Sequence, residues 1–199
     1  MSYETSKCYE KRKFLGHFEK YLLGNGIDVG AGPDCLVITN GSVINWDRKD
    51  GNGSHLKTIK DNSLDFVYSS HFLEHVPNLT IAIRNFKRVL KPNGILYFTV
   101  PDFELYEKKT WPSNHNKSHK HSFSINITRK ETQRETHWNI KEDLKPLLNN
   151  FGFEVIEYYL EDDNYDRNID QNVDQTKEKE KMVLAQICII ARKNINHDN

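Results

Sequence analysis

The chain has 199 residues, 37% of them hydrophobic, enough for one domain with one sizeable core and too little for a second. Its 28 basic residues cancel its 28 acidic ones, so no overall field draws it to nucleic acid or to an anionic membrane, and any partner must be recognised at a local site. No apolar run approaches the roughly 18 residues needed to span a bilayer, and the opening MSYETSKCYEKRKF is charged throughout, with no apolar signal core. Cys8, Cys35 and Cys188 are far apart and form no C-x-x-C pair, which suits a reduced compartment, so a cytoplasmic location is expected.

In residues 5–23, Phe14, Leu15, Phe18, Leu22 and Leu23 recur at helical spacing among Lys and Glu, and Gly24 follows where a helix end prefers glycine. One amphipathic helix is predicted there. Short apolar, β-branched or aromatic runs follow as predicted strands: IDV before the glycines, LVI at 36–38 (short enough to belong to a turn), SVINW at 42–46, LDFVYSS at 64–70 and GILYFTV at 94–100. Between the last two, Pro77 suits a first helical position, Leu79, Ile83, Phe86 and Leu90 share a face, and Pro92-Asn93-Gly94 makes the exit turn. Strand, helix and strand in that order make a βαβ unit. KEDLKPLLNNFGF then reads as helix, and EVIEYYL and VLAQICIIAR as strands, with a polar, amide-rich segment between them at about 161–181 that is expected to be a mobile loop. The whole implies a single α/β domain over 1–199: an open, doubly wound, mostly parallel sheet with helices on both faces and an antiparallel terminal strand.

In such sheets ligands bind beyond the carboxyl ends of the strands, where strand order reverses. GIDVGAG, residues 26–32, stands at that place, and Gly30 and Gly32 allow a sharp bend and close approach of a ligand. A Gly-x-Gly after a strand can also be only a turn. Two acidic residues argue for more. Asp28 lies inside the strand, where a carboxylate needs a cationic or hydrogen-bonding partner, and Asp47 ends the next strand, where an acidic side chain can hold two ribose hydroxyls.

The set IDVGAG, INWD, NSLDFVYSSHFLEHVPN and RVLKPNGILYFTVPD resembles the class I S-adenosylmethionine-dependent methyltransferases, closely over residues 24–102 and by topology beyond. The resemblance implies that Asp28 and the backbone of Gly30, Ala31 and Gly32 meet the methionine part of S-adenosylmethionine. It also implies that Asp47, beside Trp46, holds the ribose, and that Asn52, Gly53 and Ser54, on to Leu56, face the adenine, with Ser70 completing the cofactor set. Many members carry Asp near Asn52, a departure in this chain. A dinucleotide dehydrogenase would need a third glycine where Cys35 stands, so hydride transfer is the weaker reading.

HFLEH, residues 71–75, follows a strand and precedes Pro77. Glu74 and His75 there can simply brace the following helix. In the small-RNA 2′-O-methyltransferases and the ubiquinone-pathway O-methyltransferases, however, a similar position carries E-x-x-E-H, which binds a divalent ion. By that resemblance His71, Glu74 and His75 form a candidate metal set, with His71 replacing a Glu and favouring Zn²⁺, Mn²⁺ or Fe²⁺ over Mg²⁺. H-x-x-E-H also marks a group of zinc peptidases, but those need it on a continuous helix.

WPSNHNKSHKHSF places His115, His119 and His121 within one short stretch, with Trp111, Lys108, Lys109 and Lys117 nearby. It can be a solvated loop. It also follows VPD at the sheet's carboxyl edge, so residues of about 101–140 are expected to form a substrate-side insertion. There Trp111 could stack on a sugar and the cations could face a phosphate. The LYE…WPS…HKH pattern resembles methyltransferases of bacterial surface-polysaccharide pathways, which implies a glycan-precursor acceptor. Methyl transfer from a sulfonium is an in-line displacement, so a hydroxyl acceptor needs alignment and a base. His71, His119 and His121 are the candidates, with Asp102 expected to orient one of them. Methylation of a small diol metabolite through the same metal site, and a non-catalytic cofactor-binding protein of the same fold, are the competing readings. A nucleic-acid substrate is not expected without a basic stripe, and the sequence carries no sign of the oligomeric state.

Overall fold

A computed structural model describes residues 4–170, 172–177 and 182–195. Its centre is a six-stranded sheet. The strands in chain order are β1 (Gly24–Val29), β2 (Gly41–Trp46), β3 (Leu64–Ser70), β4 (Leu90–Pro101), β7 (Phe153–Glu161) and β8 (Gln186–Lys193), arranged in space as β2-β1-β3-β4-β8-β7. All pairings from β2 to β4 are parallel, and β8 runs antiparallel to both of its neighbours. The antiparallel strand therefore lies inside the sheet, and β7, parallel to β4, forms the edge. Two short strands, β5 (Ser122–Ser124) and β6 (His137–Asn139), make a separate parallel pair in the segment after β4.

Successive strand residues point to opposite faces, which divides the core in two. On one face Ile27, Val29, Val67, Leu96 and Phe98 pack against α4 (Leu79–Val89) and α5 (Lys145–Asn150). α4 is amphipathic and buries Leu79, Ala82, Ile83, Phe86 and Val89, each large one worth about 1.5–3 kcal/mol when fully covered. Its cap is Asn78, whose Oδ1 accepts from Ile81 N at 3.1 Å. Pro77 therefore stands just before the cap, not at the first helical position. On the other face Phe66, Tyr68, Tyr97 and Ile190 pack against Phe18, Tyr21 and Leu22 of the N-terminal segment.

That segment is not one helix. It forms α1 (Glu4–Lys7), α2 (Tyr9–Phe14) and α3 (His17–Lys20), broken at Gly16, whose φ of +67° is left-handed. The break turns Phe14 outward, 90% exposed, while Arg12 is wholly buried with its guanidinium 5.1 Å from the Tyr68 ring. The connection from β1 to β2, residues 30–40, contains no helix, and LVI lies within it as coil. It is too short for strand-to-strand return through a helix. No helix among the described residues is long and apolar enough to cross a membrane.

Of the polar segment expected to be mobile, residues 171 and 178–181 lie outside the described residues. The rest is held by polar contacts both to the residues after β4 and within the segment itself. Tyr165 donates its hydroxyl to Leu105 O at 2.7 Å, and the Gln175 amide exchanges two hydrogen bonds with the Asp166 backbone.

Candidate active site

The chain leaves β1 toward β2 on one side and returns to β3 on the other, so strand order reverses between β1 and β3. The segments after β1, β2 and β3 enclose a cavity of about 420 Å³, lined by Gly30, Trp46, Asp47, Arg48, Gly51 to Ser54, His71, Phe72 and His75 to Pro77. Gly30 is needed at its wall: its φ is +83°, and a Cβ there would sit 2.8 Å from Phe72 Cδ2. Gly53 packs against the same ring: a Cβ there would meet Val29 Cγ1 at 2.7 Å and Phe72 Cζ at 2.8 Å. Asp47 starts a 3₁₀ turn, Arg48–Asp50, and its Oδ1 accepts from Arg48 N at 2.8 Å while Asp50 Oδ2 accepts from Asp47 N at 3.0 Å. This reciprocal cap fixes the carboxylate at the cavity wall.

Of the expected cofactor residues, Gly30, Trp46, Asp47, Asn52, Gly53 and Ser54 line this cavity, while Asp28, Ala31, Gly32, Leu56 and Ser70 stand outside its lining. Ser70 Oγ is 3.0 Å from Thr99 Oγ1. Asp28 is fully buried beneath the glycine loop, where its Oδ2 accepts from Leu36 N at 2.7 Å and its Oδ1 has no hydrogen-bond partner. Burial raises its pKa from 3.8 to about 7.

A second cavity, about 660 Å³, opens on the other side of His71 and His75. Both sizes fall in the range of small-molecule sites. The second is lined by Glu4, Ser6 and Lys7 of the N-terminal segment, Glu74, Tyr106, His115, Asn116 and His119, and Asp174, Thr176, Lys177 and Met182. His71 and His75 line both cavities and form the wall between them.

Glu74 is wholly buried, and neither carboxyl oxygen has a hydrogen-bond partner. Burial pushes its pKa well above the ordinary carboxylate value. Its Oε1 lies 3.5 Å from His71 Nδ1 and 3.8 Å from His75 Nε2. Among the described residues, Glu74, His75 and His119 are the group whose donor atoms converge within 4.8 Å of one another. His71 stands beside this group with its Nε2 2.6 Å from Gln186 Oε1. The second histidine of the cluster thus comes from the insertion, 45 residues downstream of Glu74, and not from the HFLEH motif.

The hydrogen-bond network sets the tautomers. His119 Nδ1 lies 2.6 Å from Glu107 Oε1, both side chains buried, so it donates to the carboxylate and leaves Nε2 with a lone pair. Ser118 donates its single hydroxyl proton to Asn116 Oδ1 at 2.6 Å, and its Oγ therefore accepts from His75 Nδ1 at 2.9 Å. His75 Nε2 is then also bare, and burial pushes the pKa of that ring down to about 4.

Asp102 orients no histidine through its hydrogen bonds: its Oδ1 accepts from the backbone of Glu104 and Leu105, each at 2.9 Å, tying the loop after β4. Burial moves its pKa up to about 7. The carboxylate that holds a histidine is Glu107. His121 lies outside both linings, accepting at Nδ1 from Trp138 Nε1 at 3.1 Å. Trp111 stacks under the Arg134 guanidinium at 4.8 Å, Lys109 pairs with Glu104 at 3.0 Å, and Lys108 meets Tyr165. The cations in the second cavity's lining are instead Lys7 and Lys177, both in ion pairs, with Glu4 and Asp174.

A family model described as a methyltransferase domain matches residues 15–158. The chain belongs to this family. It is an S-adenosylmethionine-dependent methyltransferase, and the fold implies that cofactor. No curated protein matches the chain. Among solved structures, an S-adenosylmethionine-dependent methyltransferase from Archaeoglobus fulgidus is similar at a TM-score of 0.58 and 18% identity, covering 96% of this chain and 95% of that one. A possible histamine N-methyltransferase from Thermotoga maritima gives 0.55 and 19%, covering 94% and 95%. A chain from a complex of the Haloferax volcanii methyltransferase activator Trm112 gives 0.53 and 13%, covering 96% and 93%. At these identities the likeness is one of fold.

Proposed function

We propose that this methyltransferase transfers the methyl group to a hydroxyl of a sugar or other surface-glycan precursor. The observation that carries the reading is the wall of His71 and His75 shared by two cavities, which separates a site with an acidic residue at the end of β2 from one rich in imidazole. In this reading S-adenosylmethionine occupies the smaller cavity. Asp47 holds its ribose, Asn52 to Ser54 face the adenine, and the backbone of Gly30 to Gly32, supported by Asp28, receives the methionine end. The acceptor occupies the larger cavity, whose lysines are paired with carboxylates and whose remaining polar lining is hydroxyl, amide and imidazole with the buried Glu74 carboxyl, its pKa raised by burial. That balance suits an uncharged polyhydroxylated acceptor. His71 and His119 are the imidazoles assigned to it, while His121 and Asp102 are assigned to holding the insertion.

The second reading, metal-assisted methylation of a small diol, is favoured by the unpartnered Glu74 carboxyl facing two bare imidazole nitrogens. Two His and one carboxylate fit Zn²⁺, Mn²⁺ or Fe²⁺, and an ion held by Glu74, His75 and His119 would supply Lewis-acid activation of an acceptor oxygen. The three free cysteines support a reduced, cytoplasmic setting.

The test is transfer of labelled methyl from S-adenosylmethionine to panels of sugar nucleotides, catechols and amines. Label in a sugar ether is the expected result. Label confined to catechols would select the second reading, and label on amines would overturn both.

A further inference from the structure

In the run QICIIA, which opens β8, Gln186 is the one polar side chain, and it is 1% exposed. Because β8 runs antiparallel, its first residue, not its last, lies at the sheet's carboxyl edge. The register places Gln186 between Pro101 on β4 and Glu161 on β7. Its amide there meets three groups. Nε2 donates to Glu161 Oε2 and reaches Cys8 Sγ at 3.1 Å, and Oε1 is 2.6 Å from His71 Nε2.

The direction of this chain follows from its acceptor end. Glu161 is wholly buried, with Lys11 Nζ 3.9 Å from its other oxygen, and its carboxylate only accepts. The nitrogen of the Gln186 amide must face it. The amide oxygen must then face His71, and an amide oxygen also only accepts. His71 Nε2 therefore carries the proton, and Nδ1 carries the lone pair. The backbone secures the other end of the same residue: His71 adopts a left-handed φ of +53° and donates its N–H to Thr99 O at 3.1 Å.

We infer that Gln186 is a positioning residue for methyl transfer, which fixes the His71 ring in one tautomer so that Nδ1, 3.5 Å from Glu74 Oε1 in the lining of the larger cavity, keeps its lone pair for the acceptor hydroxyl. The role in transfer rests on the proposed acceptor reading; the tautomer does not. Without the amide the ring can exchange tautomers or rotate, and a protonated Nδ1 would present a donor where the hydroxyl needs an acceptor. Alignment and proton acceptance of this kind are worth about 10²–10⁴ in rate, and loss of orientation alone removes part of that.

The experiment reads His71 by ¹⁵N NMR in the cofactor-free protein labelled at histidine, with His71→Asn to assign the signals, and follows turnover in parallel. The wild type is expected to show the Nε2–H form. Gln186→Leu is expected to give a mixed or reversed tautomer and a kcat lower by about tenfold to a hundredfold, with unchanged cofactor affinity. The exchanged pair Gln186→Glu with Glu161→Gln keeps an acceptor against His71 and a donor behind it. It is expected to restore both the tautomer and most of kcat, which also covers the case in which Gln186→Leu fails to fold. An Nδ1–H signal in the wild type, a leucine variant that keeps tautomer and rate, or an exchanged pair that recovers neither would overturn the inference. If no acceptor is ever methylated, the acceptor reading fails while the NMR still decides the tautomer.

Discussion

Asp28 gives the structure a pH signature that one substitution can isolate. The carboxyl is fully buried, with one oxygen on Leu36 N and the other unpartnered, and burial raises its pKa from 3.8 to about 7. A carboxyl that holds its proton more tightly when folded contributes stability fully below pH 3.8 and loses it as pH rises to about 7, where the buried charge must form. At about 1.4 kcal/mol per pH unit, the loss across that window is about 4 kcal/mol. Asp28→Asn keeps an acceptor for Leu36 N and cannot ionise. Urea unfolding of both proteins at pH 4, 6 and 8 should therefore show the variant gaining stability relative to the wild type by up to about 4 kcal/mol between the lowest and highest pH. Taking the difference removes the similar contribution of Asp102, which both proteins share. The variant should at the same time bind S-adenosylmethionine more weakly, because the charge that strains the fold is the one assigned to the cofactor's methionine end. Parallel stability curves for the two proteins would refute the reasoning.

Gly30→Ala must fit a Cβ 2.8 Å from Phe72 Cδ2 at a φ of +83°, so a cost of about 1–3 kcal/mol in stability and at least about a tenfold loss of cofactor affinity are expected by thermal shift and calorimetry. Glu107→Gln weakens the hold on His119 Nδ1, and Zn²⁺ affinity measured by competition with a chromophoric chelator should fall about 10–100-fold; an unchanged affinity would remove Glu107 from the proposed metal site. Phe86→Ala empties a fully buried position under the sheet and should cost about 3–5 kcal/mol in chemical denaturation, with a loss under 1 kcal/mol arguing against the packing of α4 described above.

What could be read from the sequence was what depends on local pattern. The strands announced themselves as β-branched and aromatic runs, and α4 by the spacing of Leu79, Ile83 and Phe86, because each of those signals is complete within a dozen residues. The N-terminal helix was misjudged because Phe14 and Leu15 fit the apolar spacing, while the left-handed turn at Gly16 breaks the axis and buries Arg12 instead. The antiparallel strand was foreseen but not its place, since hydrogen bonding to β4 is a non-local choice. In the site, the lining residues nearest the strand ends were legible. Glu107 was not, because only the folding of residues 103–121 brings it against His119. Gln186 did leave a sign, a lone amide opening the apolar run QICIIA, whose meaning appears only once the strand is seen to start at the carboxyl end of β4.

The smaller cavity is the proposed cofactor site. Calorimetric titration of the purified protein with S-adenosylmethionine and S-adenosylhomocysteine, repeated with Asp47→Ala and with a chelator, tests this directly. The account predicts binding of both ligands to the wild type and its loss in Asp47→Ala, whose fold is unchanged by circular dichroism. Well-folded wild-type protein that binds neither ligand, or an Asp47→Ala variant that binds both as tightly, would contradict it.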